Sequence, residues 1–107
     1  MNNWADMYLF GPDQLRIDRT VAEFYGISRP LIMAKRGRLE LRWPRWVAMY
    51  LQYNLTDETL VSIARWFGTD HATVIYDLGK VKNRIEGDPE FRRDVEWLES
   101  RCRRSAC

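Results

Sequence analysis

Leu60-Val61-Ser62-Ile63-Ala64-Arg65-Trp66-Phe67-Gly68-Thr69-Asp70-His71-Ala72-Thr73-Val74-Ile75-Tyr76-Asp77-Leu78 carries two helical patterns separated by a three-residue break. Leu60, Ile63, Ala64 and Phe67 fall on one helix face, and Thr59 stands where an N-cap is needed. Gly68-Thr69-Asp70 reads as a tight turn, with Asp70 as the cap of the next helix. Val74, Leu78, Val81 and Ile85 then recur at i, i+4, i+7 and i+11, which predicts a helix from His71 to about Ile85. A short helix, a glycine-containing break and a longer helix form a helix-turn-helix pattern. In such units the amino end of the second helix reaches base edges in the major groove. His71 offers a donor or acceptor, Thr73 a hydroxyl and a methyl, Ala72 a methyl for a thymine, and the Asp70 carboxylate an acceptor for a cytosine amino group. Tyr76, Asp77 and Lys80 fall around the exposed side, and the free N–H groups of the helix start favour a phosphate. The same pattern also occurs as a plain structural hairpin.

Outward from this unit the chain is helical throughout. Ile17, Val21 and Phe24 predict a helix over Asp18 to Tyr25, ended by Gly26. Ser28 can cap a short second helix with Pro30 in its first turn, carrying Leu31 and Ile32. Lys35-Arg36-Gly37-Arg38 follows as a loop, and Pro44 suits the first turn of a third helix with Val47, Ala48, Leu51 and Leu55 inward. Gly87-Asp88-Pro89 ends the long helix and caps the last one, in which Phe91, Val95, Leu98 and Cys102 share a face. Only Arg38 to Arg42 has any strand-like alternation. The expected fold class is all-α, a compact bundle of five or six helices.

The 107 residues, 46% hydrophobic and 30% charged, suit one soluble domain with a modest core. No apolar run approaches the roughly 18 residues of a membrane span, and no secretory signal is visible, so the expected location is cytoplasmic. The net charge of +2 is unevenly spread. Arg29, Lys35, Arg36, Arg38, Arg42 and Arg45 face a single acid, Glu40, between Arg29 and Arg45. Met1 to Ser28 is net acidic. One basic stripe on a balanced domain is the footprint of polyanion binding, although a solvated basic loop has the same composition.

Catalytic chemistry finds little support. His71 is the only histidine, and with Cys102 and Cys107 it leaves a zinc site without a fourth soft ligand. Asp57 and Glu58 are adjacent and diverge on a helix, and no serine or cysteine has a recognisable general base. No G-x-x-x-x-G-K-[ST] segment is present, so neither nucleotide nor another cofactor is expected.

Thr20-Val21-Ala22-Glu23-Phe24-Tyr25-Gly26-Ile27, Lys35-Arg36-Gly37-Arg38 with Trp43-Pro44-Arg45-Trp46-Val47-Ala48-Met49-Tyr50, and Phe67-Gly68-Thr69-Asp70-His71-Ala72-Thr73-Val74 together resemble the C-terminal DNA-binding domain, domain IV, of the bacterial replication initiator DnaA. The resemblance runs in order from about Ile17 to Leu98. It implies a Trp-repressor-like helix-turn-helix bundle over residues 13–101, an extension at 1–12 and a tail at 102–107. It also implies that Asp70, His71, Ala72 and Thr73 read the major groove, and that Arg36 and Arg38 serve the minor groove. Lys35, Arg42, Arg45, Trp46, Thr69 and Lys80 are then the expected phosphate contacts. The chain departs from the family pattern in several places: the turn before Asp70 is one residue shorter, Ala72 replaces a threonine, Gly37 takes the place of the minor-groove arginine, and Trp46 replaces a polar residue.

The expected partner is double-stranded DNA, bound near the nucleoid, together with a protein of the transcription or replication machinery. Small relatives of the domain resemble regulators of phage-like gene clusters, so transcriptional regulation is the first expectation. Modulation of replication initiation at DnaA-box-like sites is the second, and a helical protein-interaction module without DNA binding the third. Of the five tryptophans, Trp66 and Trp97 are expected in core or rim packing; Trp43 and Trp46 flank Pro44 beside the basic stripe, where a sugar-phosphate edge is one role and packing the favoured one. Trp4, Met7, Tyr8 and Phe10 either cover the bundle or form a docking surface for a partner.

Overall fold

The computed structural model describes residues 13–34 and 39–106, which form six helices: α1 (Asp13–Tyr25), α2 (Arg29–Met33), α3 (Leu39–Leu55), α4 (Leu60–Phe67), α5 (His71–Gly87) and α6 (Pro89–Ala106). Lys35, Arg36 and Arg38 of the basic loop, and Trp4, Met7, Tyr8 and Phe10 near the amino end, lie outside the described residues.

α3 is the axle of the bundle. Trp46, Val47, Ala48 and Met49 are consecutive and all buried, and successive helix positions turn by about 100°, so the middle of the helix is enclosed on every side. α5 and α1 are packed against it, and α4 closes on α5. Ile17, Val21 and Ala22 of α1, Ile63, Ala64 and Phe67 of α4, Val74 and Val81 of α5, and Phe91, Val95 and Leu98 of α6 complete the core. Leu78 and Ile85 of α5 are only partly buried against it.

Several boundaries differ from the periodic reading, for local reasons. α1 begins at Asp13 because Gln14 is buried as well as Ile17. α3 begins at Leu39, not Pro44, and the stretch with strand-like alternation is helical from Leu39 onward. Pro44 lies inside that helix, at its sixth position, and removes the backbone donor that would otherwise meet the carbonyl four residues earlier. Ser28 occupies the N-cap of α2 without a side-chain bond; its carbonyl accepts from Leu31 N–H at 3.1 Å instead. α6 continues past residue 101 because Cys102 is buried in the core. Trp97 is half exposed at the rim, 5.5 Å from Phe24.

A polar chain crosses this core. Gln14 Nε2 donates to Gln52 Oε1 at 3.0 Å, Gln52 Nε2 to Asp18 Oδ1 at 2.9 Å, and Trp66 Nε1 to Asp18 Oδ2 at 2.7 Å. Arg29 Nε lies 3.7 Å from the same oxygen. Asp18 thereby ties α1 to α2, α3 and α4. Burial pushes its carboxyl from 3.8 up to about 6, against the Trp66 and Gln52 donors and the Arg29 charge. The folded chain holds this proton more tightly than the unfolded chain, so the stability it contributes is fully present below pH 3.8 and is lost as pH rises through about 6. Such a rise corresponds to roughly 3 kcal/mol. Urea unfolding at pH 4 and pH 7 should therefore show the wild-type chain losing ground to Asp18→Asn by up to that amount. The difference between the two proteins is the readout, because the Asp70 and Asp88 caps have lowered pKa values and act in the opposite sense. A pH-independent difference would exclude Asp18 as the titrating group.

Candidate nucleic-acid interface

The turn between α4 and α5 is built by its residue types. Gly68 adopts φ 69°, a left-handed conformation that other residues reach at a cost. Its N–H donates to Arg65 O at 3.2 Å, and Thr69 N–H donates to Ala64 O at 2.8 Å, which closes the last carbonyls of α4. Asp70 is the N-cap of α5: Oδ1 accepts from Thr73 N–H at 2.8 Å. Such a cap is worth about 1 kcal/mol. The Thr73 backbone N–H holds the Asp70 carboxyl below the ordinary aspartate value. Thr59 caps α4 in the same way, accepting from Ser62 N–H at 3.1 Å.

Beyond this cap, Asp70, His71, Ala72 and Thr73 are all exposed, while Val74, the next residue, is fully buried. The amino end of α5 therefore projects with its polar groups outward, anchored by Val74 and Val81. On one side of it runs a groove between α3 and α5, lined by Arg42, Arg45, Trp46, Thr69, Thr73, Tyr76, Asp77 and Lys80. On the other side His71 shares a shallow surface with Val61, Arg65 and Thr69. Arg42 is exposed, and Lys80 Nζ sits 4.9 Å from the centre of the Tyr76 ring and 5.5 Å from that of Trp46. Arg84 continues the basic line along α5, 4.5 Å from the Trp43 ring centre.

Three residues stand differently from the sequence reading. Arg45, expected as a phosphate contact, is only 8% exposed. Its Nη1 donates to Met33 O at 2.9 Å and Ala34 O at 3.4 Å, and Nη2 to Phe67 O at 3.1 Å. The guanidinium is thus occupied with the carboxyl ends of α2 and α4, where a positive charge is favoured. Trp46 is also buried, edge-on to Trp43 at 4.9 Å, because α3 is enclosed where that side chain leaves it. Asp77, read as exposed, is 6% exposed and faces Arg45, Lys80, Arg42 and the Trp46 side chain. Burial raises its pKa, and those three cations and the indole oppose the rise. Arg65 beside His71 had no distinguishing signal in the sequence, since a basic residue in the last turn of a helix is common for dipole reasons alone. No cluster of metal-ligating side chains occurs among the described residues. None of their helices is long and apolar enough to cross a membrane.

Comparison with known proteins gives this surface a context. The family described as bacterial dnaA protein helix-turn-helix matches residues 15–81. The chain is similar to the chromosomal replication initiator protein DnaA of Limosilactobacillus reuteri, 34% identical over 88 residues, covering 81% of this chain and 20% of the relative. It is 34% identical over 98 residues to the Deinococcus radiodurans protein of that name, covering 87% and 21%. With the Caldanaerobacter subterraneus protein it shares 35% over 85 residues, covering 79% and 19%. The chain thus spans about a fifth of the length of these relatives.

Proposed function

The chain belongs to the bacterial DnaA helix-turn-helix family, and from that membership we propose that it binds duplex DNA at DnaA-box-like sites and so modulates replication initiation. The observation that carries this reading is the projecting amino end of α5, with three exposed residues behind an exposed Asp70 cap and a basic groove alongside. In this reading His71, Ala72, Thr73 and Asp70 meet base edges in the major groove, Lys35, Arg42, Thr69 and Lys80 meet phosphates, and Arg36 and Arg38 reach the minor groove. Transcriptional regulation of a phage-like cluster draws no support from the relatives, which are replication initiators. The match covers only about a fifth of each relative, so the proposal extends to DNA binding at such sites and to no further activity of the relatives. No catalytic step is part of the proposal.

Fragments selected from a random duplex library should converge on a box-like sequence, bound at least about tenfold more tightly than scrambled duplex. Affinity should fall with salt at a log–log slope of roughly −0.9 per phosphate neutralised. Convergence on an unrelated promoter repeat would return the assignment to transcription. Absence of any shift at moderate salt would leave the helical interaction module as the reading.

A further inference from the structure

Asp77 sits where an interface for a polyanion has least use for it. It lies on α5, one helical turn beyond Thr73, and faces the groove that Arg42, Lys80 and Thr69 also line. A carboxylate there repels phosphate, yet it is built in: it is 6% exposed, and Arg45, Lys80 and Arg42 act on it electrostatically. Trp46 is itself buried and held by Trp43 and by Lys80 over its ring. Asp77 of α5 and Trp46 of α3 thus line the same groove.

We infer that Asp77 is a specificity-determining residue: its charge offsets part of the basic groove and lowers affinity for DNA of any sequence, leaving discrimination to the base contacts of His71 and Thr73. This rests on the DNA-binding reading above and adds to it. A neutral groove floor would strengthen phosphate attraction equally on every duplex, which raises non-specific binding and narrows the ratio between a box and a random sequence.

The test uses the full chain, a box-containing duplex and a scrambled duplex, titrated by fluorescence anisotropy from low to moderate salt. Asp77→Asn keeps the shape while removing the charge; Asp77→Glu keeps the charge. The N variant should bind scrambled duplex about three- to tenfold more tightly at low salt. Its salt slope should steepen by up to about 0.9, and its preference for the box should shrink. The E variant should stay within about twofold of wild type on both duplexes. Equal behaviour of the two variants, or an unchanged preference in the N variant, overturns the inference. So does loss of its helical circular dichroism at the assay temperature, since the carboxylate is then a requirement of the fold and not a tuner of binding. Failure of the wild-type chain to bind either duplex is a different outcome and overturns the DNA-binding reading itself.

Discussion

Arg45→Met is expected to destabilise the fold by about 3–5 kcal/mol, because it removes a buried charge from three carbonyls at once. Met33 O, Ala34 O and Phe67 O lose their donor, and the α2–α3–α4 junction loses the group that holds it together. The Phe67 ring also loses the guanidinium 5.3 Å from its centre, and Asp77 loses its strongest cationic neighbour. Methionine fills a similar volume, so cavity formation is not the main cost. For a domain of this size each 1 kcal/mol moves the melting temperature by about 4–8 °C, which makes a fall of at least ~12 °C the expected reading in a thermal melt. A melting temperature within a few degrees of wild type, with weakened binding to all duplexes, would mean that Arg45 serves phosphates as the sequence alone suggests.

Thr73→Val should do the reverse. Valine keeps the β-branched shape, and the backbone N–H that donates to Asp70 is untouched, so the cap survives and stability changes little. The hydroxyl is lost. Thr73 is exposed at the projecting end of α5, next to the residues proposed to face base edges. Loss of one base contact should cost about 1–3 kcal/mol at one or two base pairs of the selected site, roughly 5- to 150-fold, with scrambled-duplex affinity unchanged. The check is a footprint or competition series over single base changes. An unaltered preference would show that α5 is not the reading helix, whatever else binds.

The difference between these outcomes marks what the sequence could convey. α4 and α5 were legible because three signals agree there: the face formed by Leu60, Ile63, Ala64 and Phe67, the caps Thr59 and Asp70, and the left-handed Gly68. Exposure of His71, Ala72 and Thr73 followed from the same pattern, since a cap fixes where the helix starts and Val74 fixes which way it faces. Arg45, Trp46 and Asp77 were not legible. Periodicity assigns a face to apolar residues, but in the enclosed middle of α3 even charged and amphipathic side chains lie inside, and Asp77 of α5 is covered only by tertiary packing; no local rule reveals either. Asp18 was hidden for another reason: its partners Gln52 and Trp66 are 34 and 48 positions away, so only tertiary contact shows that its charge is met. The start of α3 was misread because proline is enriched in first turns, while α3 carries Pro44 one turn further in.

That the middle of α3 is walled in on every side bears on how this module can be cut or transplanted. The two helices of the reading unit lean on a third that precedes them in the chain, and that third leans on all the rest. A peptide spanning α4 and α5 alone would expose Phe67, Val74 and Val81 to water and would have no reason to keep its angle. Anyone grafting this recognition surface onto another scaffold must therefore move the whole bundle, since the part that meets the ligand is not separable from the part that gives it shape.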